Sequence, residues 1–249
     1  MPNPPSISFI VPVYNEELNI AVMLRNLHNV LDAHPEWNSE VIIVEDGSGD
    51  NTRAVLQTEV KKYPAATLLI HSVNQGYTAS LKDGIRLARG RFLMYIGADE
   101  EFDSSELPDF VTPLLNGEAD LILGVRWQRN AYKLFRFFLS VIYIFTLNAL
   151  FKMRINDYNW SQAWRREIFE RIALDSTSLF VLPEIIIKAH DLKYRIKEVP
   201  SNHRGRQAGK SSVNFSIMGK ALWDAFDFAL KRRRSHYNPE SHEAFLRRP

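Results

Sequence analysis

Two carboxylates, Asp99 and Glu101, stand two residues apart in the stretch Gly97-Ala98-Asp99-Glu100-Glu101. That spacing suits a hard cation such as Mg2+ or Mn2+, which takes oxygen ligands and needs few from protein when a diphosphate supplies the others. Upstream, Asp46, Ser48 and Asp50 have the 1, 3, 5 spacing of a calcium loop, but position 6 is Asn51 and position 12 is Gln57, so that ligand set fails. A strand-to-helix turn fits better, with Gly47 and Gly49 supplying unusual dihedrals and Asp50 capping the next helix. Downstream, Arg206, Lys210 and Ser211 offer a guanidinium fork, a point charge and a hydroxyl to phosphate oxygens. Asp157 and Glu184 are the remaining acidic candidates, suited to a general base if a hydroxyl must be activated.

Other chemistries are excluded. The 249 residues contain no cysteine, so thiolate nucleophiles, cysteine-ligated zinc and disulfides are absent. The seven histidines have no metal-ligand spacing, and no phosphate-binding glycine loop, dinucleotide fingerprint or Ser-His-Asp arrangement can be assembled. The net charge of +2 conceals an asymmetry: residues 1–125 hold 8 basic and 18 acidic side chains, whereas residues 126–202 hold 13 and 7, and residues 203–249 hold 10 and 4. A carboxylate-rich front half and a cationic back half point to a metal or polyol site facing a phosphate or an anionic surface. Solvated faces of unequal sign would give the same totals.

The elements that must position these groups are legible as a rhythm. Ile7–Val13, Val41–Glu45, Thr67–His71, Phe92–Ile96 and Asp120–Gly124 read as buried strands. Between them, Glu16–Leu31 (Ala21, Leu24, Leu27, Leu31) and Ser80–Ala88 (Leu81, Ile85, Ala88) have helical spacing. Alternation of this kind predicts an α/β fold with a mostly parallel sheet flanked by helices. Ligands of such sheets bind at the carboxyl ends of strands. Asn15, Glu16, Asp46, Asn74 and Asp99 to Glu101 should therefore converge on one crevice.

Tyr132–Met153 is apolar and aromatic, but Arg136, Asn148 and Lys152 leave less than the roughly 20 residues a membrane span requires. An interfacial helix at 133–152 or a buried core helix are the alternatives, and Lys133 and Arg136 favour the first. Leu222, Trp223, Phe226, Ala229 and Leu230 line one face of a second amphipathic helix, followed by Lys231-Arg232-Arg233-Arg234. Residues 1–215 are expected to form the main domain and 216–249 an amphipathic helix with a basic tail. The N-terminus lacks a basic region followed by an apolar run, so a cytoplasmic protein, peripheral at the inner membrane face, is expected.

Val11-Pro12-Val13-Tyr14-Asn15-Glu16, Val44-Glu45-Asp46-Gly47-Ser48-Gly49-Asp50-Asn51-Thr52, Asn74-Gln75-Gly76 leading to Ala79 and Gly84, and Asp99 after the fourth strand occur in an order that resembles glycosyltransferase family 2 with its Rossmann-like GT-A fold. The resemblance covers roughly residues 6 to 215 and is greatest to the dolichyl- or polyprenyl-phosphate mannose and glucose synthases. It implies that Pro12, Tyr14, Glu16, Asp46, Asn74 and Gly76 line a nucleotide pocket, and that Asp99 and Glu101 bind Mg2+ or Mn2+. Arg126, Arg206, Lys210 and Ser211 would contact the diphosphate, the last three within an ending that resembles the family's "EVP, then R-x-x-G-x-S". The first acidic place of the metal motif holds Gly97, and the run after Asp157 departs from the family's Ser-Gly-Phe-Arg.

The reaction so implied is inverting transfer of a sugar from a nucleoside-diphosphate sugar to a polyprenyl phosphate, at a membrane surface and without nucleic acid. A phosphate acceptor is already anionic and needs no base; a hydroxyl of a glycan or glycolipid would call on Asp157 or Glu184. Gly97 motivates a third alternative, a nucleotide-sugar-binding protein without turnover.

Overall fold

A computed structural model describes residues 4–128, 134–205, 215–233, 238–240 and 244–246. The described strands form one seven-stranded sheet in the order β3-β2-β1-β4-β6-β5-β7. These are β1 (Ile7–Val13), β2 (Ser39–Glu45), β3 (Ala66–Ile70), β4 (Phe92–Tyr95), β5 (Leu121–Gln128), β6 (Gln162–Arg165) and β7 (Ile196–Asn202). Helices α1 (Ile20–Ala33), α2 (Thr52–Glu59), α3 (Tyr77–Leu87), α4 (Leu107–Leu115), α5 (Leu134–Phe151), α6 (Val181–Asp191) and α7 (Phe215–Arg232) connect or flank them. Only β6 runs antiparallel to its neighbours, β4 and β5.

β1 is buried nearly throughout because helices cover both faces of the sheet, so its sequence is a continuous apolar run rather than an alternation. Pro12 lies beyond Ile10, the last residue that pairs with β4, and so removes no hydrogen bond from that ladder. α1 buries Ile20, Met23, Leu24, Leu27 and Leu31 on one face. On the other side of the sheet α3 approaches so closely that a Cβ on Gly84 would lie 2.3 Å from Ile10 Cγ2.

The sequence places all five strands it identifies, with end shifts. β5 continues past Gly124 to Gln128 because it pairs with β7 along that length. Gly124 serves packing within the strand, since a Cβ there would meet the Trp160 ring at 2.6 Å and the Phe110 ring at 2.8 Å. α1 starts at Ile20 rather than at Glu16, following a turn in which Asn15 has φ of 54°. Within the stretch expected at 133–152, Leu134–Phe151 form α5, which has two characters: Tyr143, Leu147 and Phe151 are core, while Phe138, Ile142 and Phe145 are exposed. Among the described residues, no helix is long and apolar enough to cross a membrane.

Candidate active site

The parallel strands β1, β2 and β3 bring three loops to one end of the sheet, and these loops hold one another in place. Asn15 donates its N–H to Ser48 Oγ at 3.0 Å, and its side-chain oxygen accepts the Gly49 N–H at 2.9 Å. Glu16 N–H bonds Thr52 Oγ1 at 2.8 Å, while Glu16 Oε2 accepts from the Asn19 side chain at 2.6 Å. Asp50 accepts the Thr52 N–H at 3.0 Å from one residue ahead of the cap position, which is Asn51 and makes no side-chain cap bond, so Asp50 fixes the turn rather than capping α2.

Asp46 organises the third segment. Its Oδ1 accepts the Gln75 N–H at 2.9 Å and its Oδ2 the Gly76 N–H at 2.8 Å, while His71 Nδ1 lies 2.8 Å from Oδ1. Two glycines permit this. Gly47 has φ of +66°, and a Cβ there would lie 2.5 Å from the Asn74 nitrogen; Gly76 has φ of +91° with open space beside it. The segment Asn74–Gly76 therefore hangs on a carboxylate that is 2% exposed. Tyr14, at 41% exposure, and Asn74 stand in solvent at the mouth. Beneath them Glu45 is fully buried. Burial raises its carboxyl, but the Ser48 contacts and the Arg53 guanidinium outweigh that and hold it below the ordinary carboxylate value.

The acidic loop follows β4. Asp99 Oδ1 accepts the Glu101 N–H at 3.3 Å and leans into the space beside Gly97, where an added Cβ would meet it at 3.0 Å. The missing first carboxylate of the motif is thus a gap into which Asp99 turns. Glu101 Oε2 lies 3.2 Å from His203 Nε2, and Asp103 pairs with Arg204. His203 also packs edge-on against Trp160, whose Nε1 donates to Ser201 Oγ at 2.7 Å. Burial of the Tyr95 hydroxyl, reinforced by the Asp99 charge, pushes that phenol well above its usual range, so it stays neutral beside the acidic loop. Among the described residues no three His, Asp or Glu side chains are preassembled around one point. Asp99 and Glu101 nonetheless fit a hard cation that takes its remaining oxygens from a diphosphate.

Both base candidates are engaged elsewhere. Arg126 forms a fork with Asp157, Nε to Oδ2 at 2.7 Å and Nη2 to Oδ1 at 2.8 Å, and its guanidinium lies over the Trp160 ring. Glu184 accepts the Asp175 and Ser176 N–H groups at 3.0 and 2.9 Å and pairs with buried Lys188 at 2.7 Å. It fastens a loop to α6. Arg206, Lys210 and Ser211 lie outside the described residues.

The structure therefore brings Pro12, Tyr14, Glu16, Asp46, Asn74 and Gly76 to adjoining loops, and Asp99 and Glu101 to the loop after β4, at the same end. Sequence reasoning placed Asn15 among the converging strand-end residues but assigned no role to His71 or His203. His71 and His203 gave no signal, because each contacts its carboxylate from a different strand end, 25 and 102 residues away.

This sheet, with its strand-end loops and its acidic loop after the fourth strand, has the architecture of the GT-A glycosyltransferases. Residues 8–173 match the model for glycosyl transferase family 2, and the chain belongs to that family. It is 26% identical over 238 residues to the dodecaprenyl-phosphate galacturonate synthase of Rhizobium johnstonii, covering 93% of this chain and 70% of that protein. It is 27% identical over 226 residues to the dolichol-phosphate mannosyltransferase of Pyrococcus furiosus (88% and 61%), and 28% identical over 242 to a dolichyl-phosphate beta-glucosyltransferase of Trichomonas vaginalis (91% and 74%). In fold it matches the glucosyl-3-phosphoglycerate synthase of Mycobacterium tuberculosis crystallised with Mg2+ and UDP, with a TM-score of 0.72 at 17% identity over 93% of this chain and 81% of that one. A crystal of that synthase with Mn2+, UDP and glucosyl-3-phosphoglycerate matches with a TM-score of 0.68 at 18% identity, over 93% and 82%.

Proposed function

We propose that this glycosyltransferase moves a sugar, with inversion, from a nucleoside-diphosphate sugar to a polyprenyl phosphate at the cytoplasmic membrane surface. The observation that carries the choice of acceptor is the state of the two base candidates. Asp157 is forked to Arg126 and Glu184 is held by Lys188 and two backbone N–H groups, so neither is arranged to take a proton from a hydroxyl. A phosphate acceptor asks for none, since it arrives as an anion. The names of the three relatives, each a transferase for a polyprenyl- or dolichyl-type phosphate, support the same reading.

The loops at β1, β2 and β3 would receive the nucleoside, with Asp46 fixing the Asn74–Gly76 segment against it. Asp99 and Glu101 would hold Mg2+ or Mn2+, which when bound neutralises charge on the departing diphosphate. Arg206, Lys210 and Ser211, on the segment that continues from Arg204, would contact the same diphosphate. The Arg204–Asp103 and His203–Glu101 contacts tie the base of that cationic segment to the acidic loop, so both act on one leaving group.

The test is incubation with labelled nucleotide sugars, Mg2+ or Mn2+, and a polyprenyl phosphate. Label in the organic phase is the expected result. Transfer only to a glycan or glycolipid hydroxyl would overturn the acceptor, and tight donor binding with neither transfer nor metal dependence would identify a binding protein without turnover.

A further inference from the structure

His71, buried directly after β3, has a carboxylate beside each ring nitrogen. Nδ1 lies 2.8 Å from Asp46 Oδ1. Nε2, sealed from solvent, lies 3.2 Å from Asp83 Oδ2 on α3, within ion-pair range although off the line of a hydrogen bond. The two carboxylates hold different things. Asp46, 2% exposed, accepts the Gln75 and Gly76 N–H groups, whereas Asp83 is partly exposed and accepts from Arg86 Nη1 at 2.6 Å through its other oxygen. A line of contacts therefore runs from the surface of α3 through Arg86, Asp83, His71 and Asp46 to the Asn74–Gly76 segment.

Charge pairing assigns the protons of the ring. The charged side chains around His71 come from three elements: Glu45 and Asp46 at the end of β2, Arg53 on α2, and Asp83 and Arg86 on α3. Glu45 pairs with Arg53 at 2.9 Å and Asp83 with Arg86 at 2.6 Å. Arg53 also reaches His71, but its Nη2 donates to the carbonyl oxygen at 3.0 Å. Among the described residues, no Lys or Arg lies in ion-pair range of Asp46, so His71 alone can supply its counter-charge. A carboxylate buried this deeply is costly without one. A neutral ring serves one neighbour at the expense of the other. With its proton on Nδ1 it turns the Nε2 lone pair towards Asp83, and with the proton on Nε2 it turns the Nδ1 lone pair towards Asp46. A ring protonated at both nitrogens meets both carboxylates, and both contacts are charge-assisted.

We propose that Asp83 is a positioning residue of the donor site: it holds His71 as an imidazolium, and the imidazolium pins the Asp46 carboxylate against the Gln75 and Gly76 N–H groups. Asp83 acts through His71 alone. Its effect on donor binding rests on the reading of these loops as the nucleoside pocket; the charge of the ring does not. As pH rises and the ring gives up a proton, two carboxylates compete for the one that remains. The anchor of the Asn74–Gly76 segment then loosens, and donor affinity falls. Asp83→Asn should flatten that dependence, because the amide can donate to Nε2 and leave the single proton of a neutral ring on Nδ1, facing Asp46.

Two measurements on the full chain test this. Nitrogen NMR of the ligand-free protein labelled at histidine, with the His71 signals assigned through their loss in His71→Ala, should show both ring nitrogens protonated near neutral pH. In Asp83→Asn only Nδ1 should carry a proton. Calorimetry with UDP and GDP in Mg2+ should show wild-type affinity falling about tenfold across about pH 5–8, against about threefold or less in Asp83→Asn. The titration of the nucleotide itself cancels in that comparison. Asp83→Glu should restore the wild-type slope, which a merely structural role for Asp83 would not predict. The wild-type NMR signals decide the charge of the ring whether or not Asp83→Asn folds. A neutral ring in the wild type overturns the proposal, as do equal pH slopes in wild type and Asp83→Asn. An imidazolium that Asp83→Asn removes, in a chain that binds neither nucleotide at any pH, upholds the charge of the ring and overturns the nucleoside pocket.

Discussion

The strand-end crevice and the α5–α7 face handle their unusual residues in opposite ways. In the crevice, buried polar groups are satisfied from within the chain: Asp46 by Gln75, Gly76 and His71, Glu45 by Ser48 and Arg53, and the Asn15 loop by Ser48 and Gly49. On the α5–α7 face, large apolar groups are left unsatisfied by the fold. A ligand for the first region meets loops already held in place, so little ordering cost falls on binding. The difference teaches that the strand-end loops are preorganised by internal hydrogen bonds, while the α5–α7 face keeps large apolar side chains at the surface.

The contrast can be broken most directly at the acidic loop. Asp99→Ala should abolish transfer, by about a thousandfold or more in rate, because the charge developing on the leaving group loses its counterweight. Its thermal unfolding should match wild type; retained activity would remove Asp99 from the metal role. The next largest effect tests preorganisation itself. Gly47→Ala drives a Cβ into the backbone of Val73 and Asn74 at a φ of +66°. It should cost about 1–3 kcal/mol of stability. Donor affinity, read by calorimetry with a nucleoside diphosphate, should fall at least tenfold or so, roughly the equivalent of 1.4 kcal/mol. Gly76→Ala meets no neighbour, so its cost is backbone strain alone, at φ of 91° and ψ of 154° where essentially only glycine is found. Equal behaviour of the two variants would show that strain rather than collision sets the loop.

His71→Ala sharpens the comparison further, because it removes one contact of Asp46 without touching the mouth. Donor affinity should fall about tenfold, with about 1–3 kcal/mol lost in denaturant unfolding. His71→Asn should recover part of the affinity; an unchanged affinity in His71→Ala would mean that Asp46 needs only its backbone donors.

The smallest effect lies away from both regions. Asp120 sits between Arg195 and Arg165. Burial raises its carboxyl, but the Arg195 side chain and N–H, together with Arg165, outweigh that and leave it below the ordinary value of 3.8. A depressed carboxylate contributes stability above its unfolded value and loses it as pH falls through the folded one. Asp120→Asn should therefore cost about 1–2 kcal/mol at pH 7, and the gap from wild type should narrow below pH 3.8. A constant gap would assign the loss to packing instead.

Much of the fold was legible because parallel strands buried on both faces must be continuous apolar runs, as Ile7–Val13 and Val41–Glu45 are. The four-residue β6 was not, since Gln162-Ala163-Trp164-Arg165 carries no strand pattern of its own and is defined by pairing with β4 and β5. At the site, Asp99, Glu101, Asp46 and Gly76 were found from local motifs. The engagement of Asp157 and Glu184 was not, because Arg126 reaches Asp157 from 31 residues away and the partners of Glu184 depend on how α6 meets the preceding loop.

By itself the sequence determined the α/β rhythm, the ordered motifs of a family 2 glycosyltransferase and the chemistries a cysteine-free chain lacks, because periodicity, spacing and composition are local properties of the chain. Tertiary structure alone decided that Asp157 is held by Arg126 and Glu184 by Lys188, and that Asp99 and Glu101 share the loop after β4. It also decided that α5 is both core and surface. Those outcomes depend on what each side chain meets across the fold, and burial and pairing are properties of that meeting.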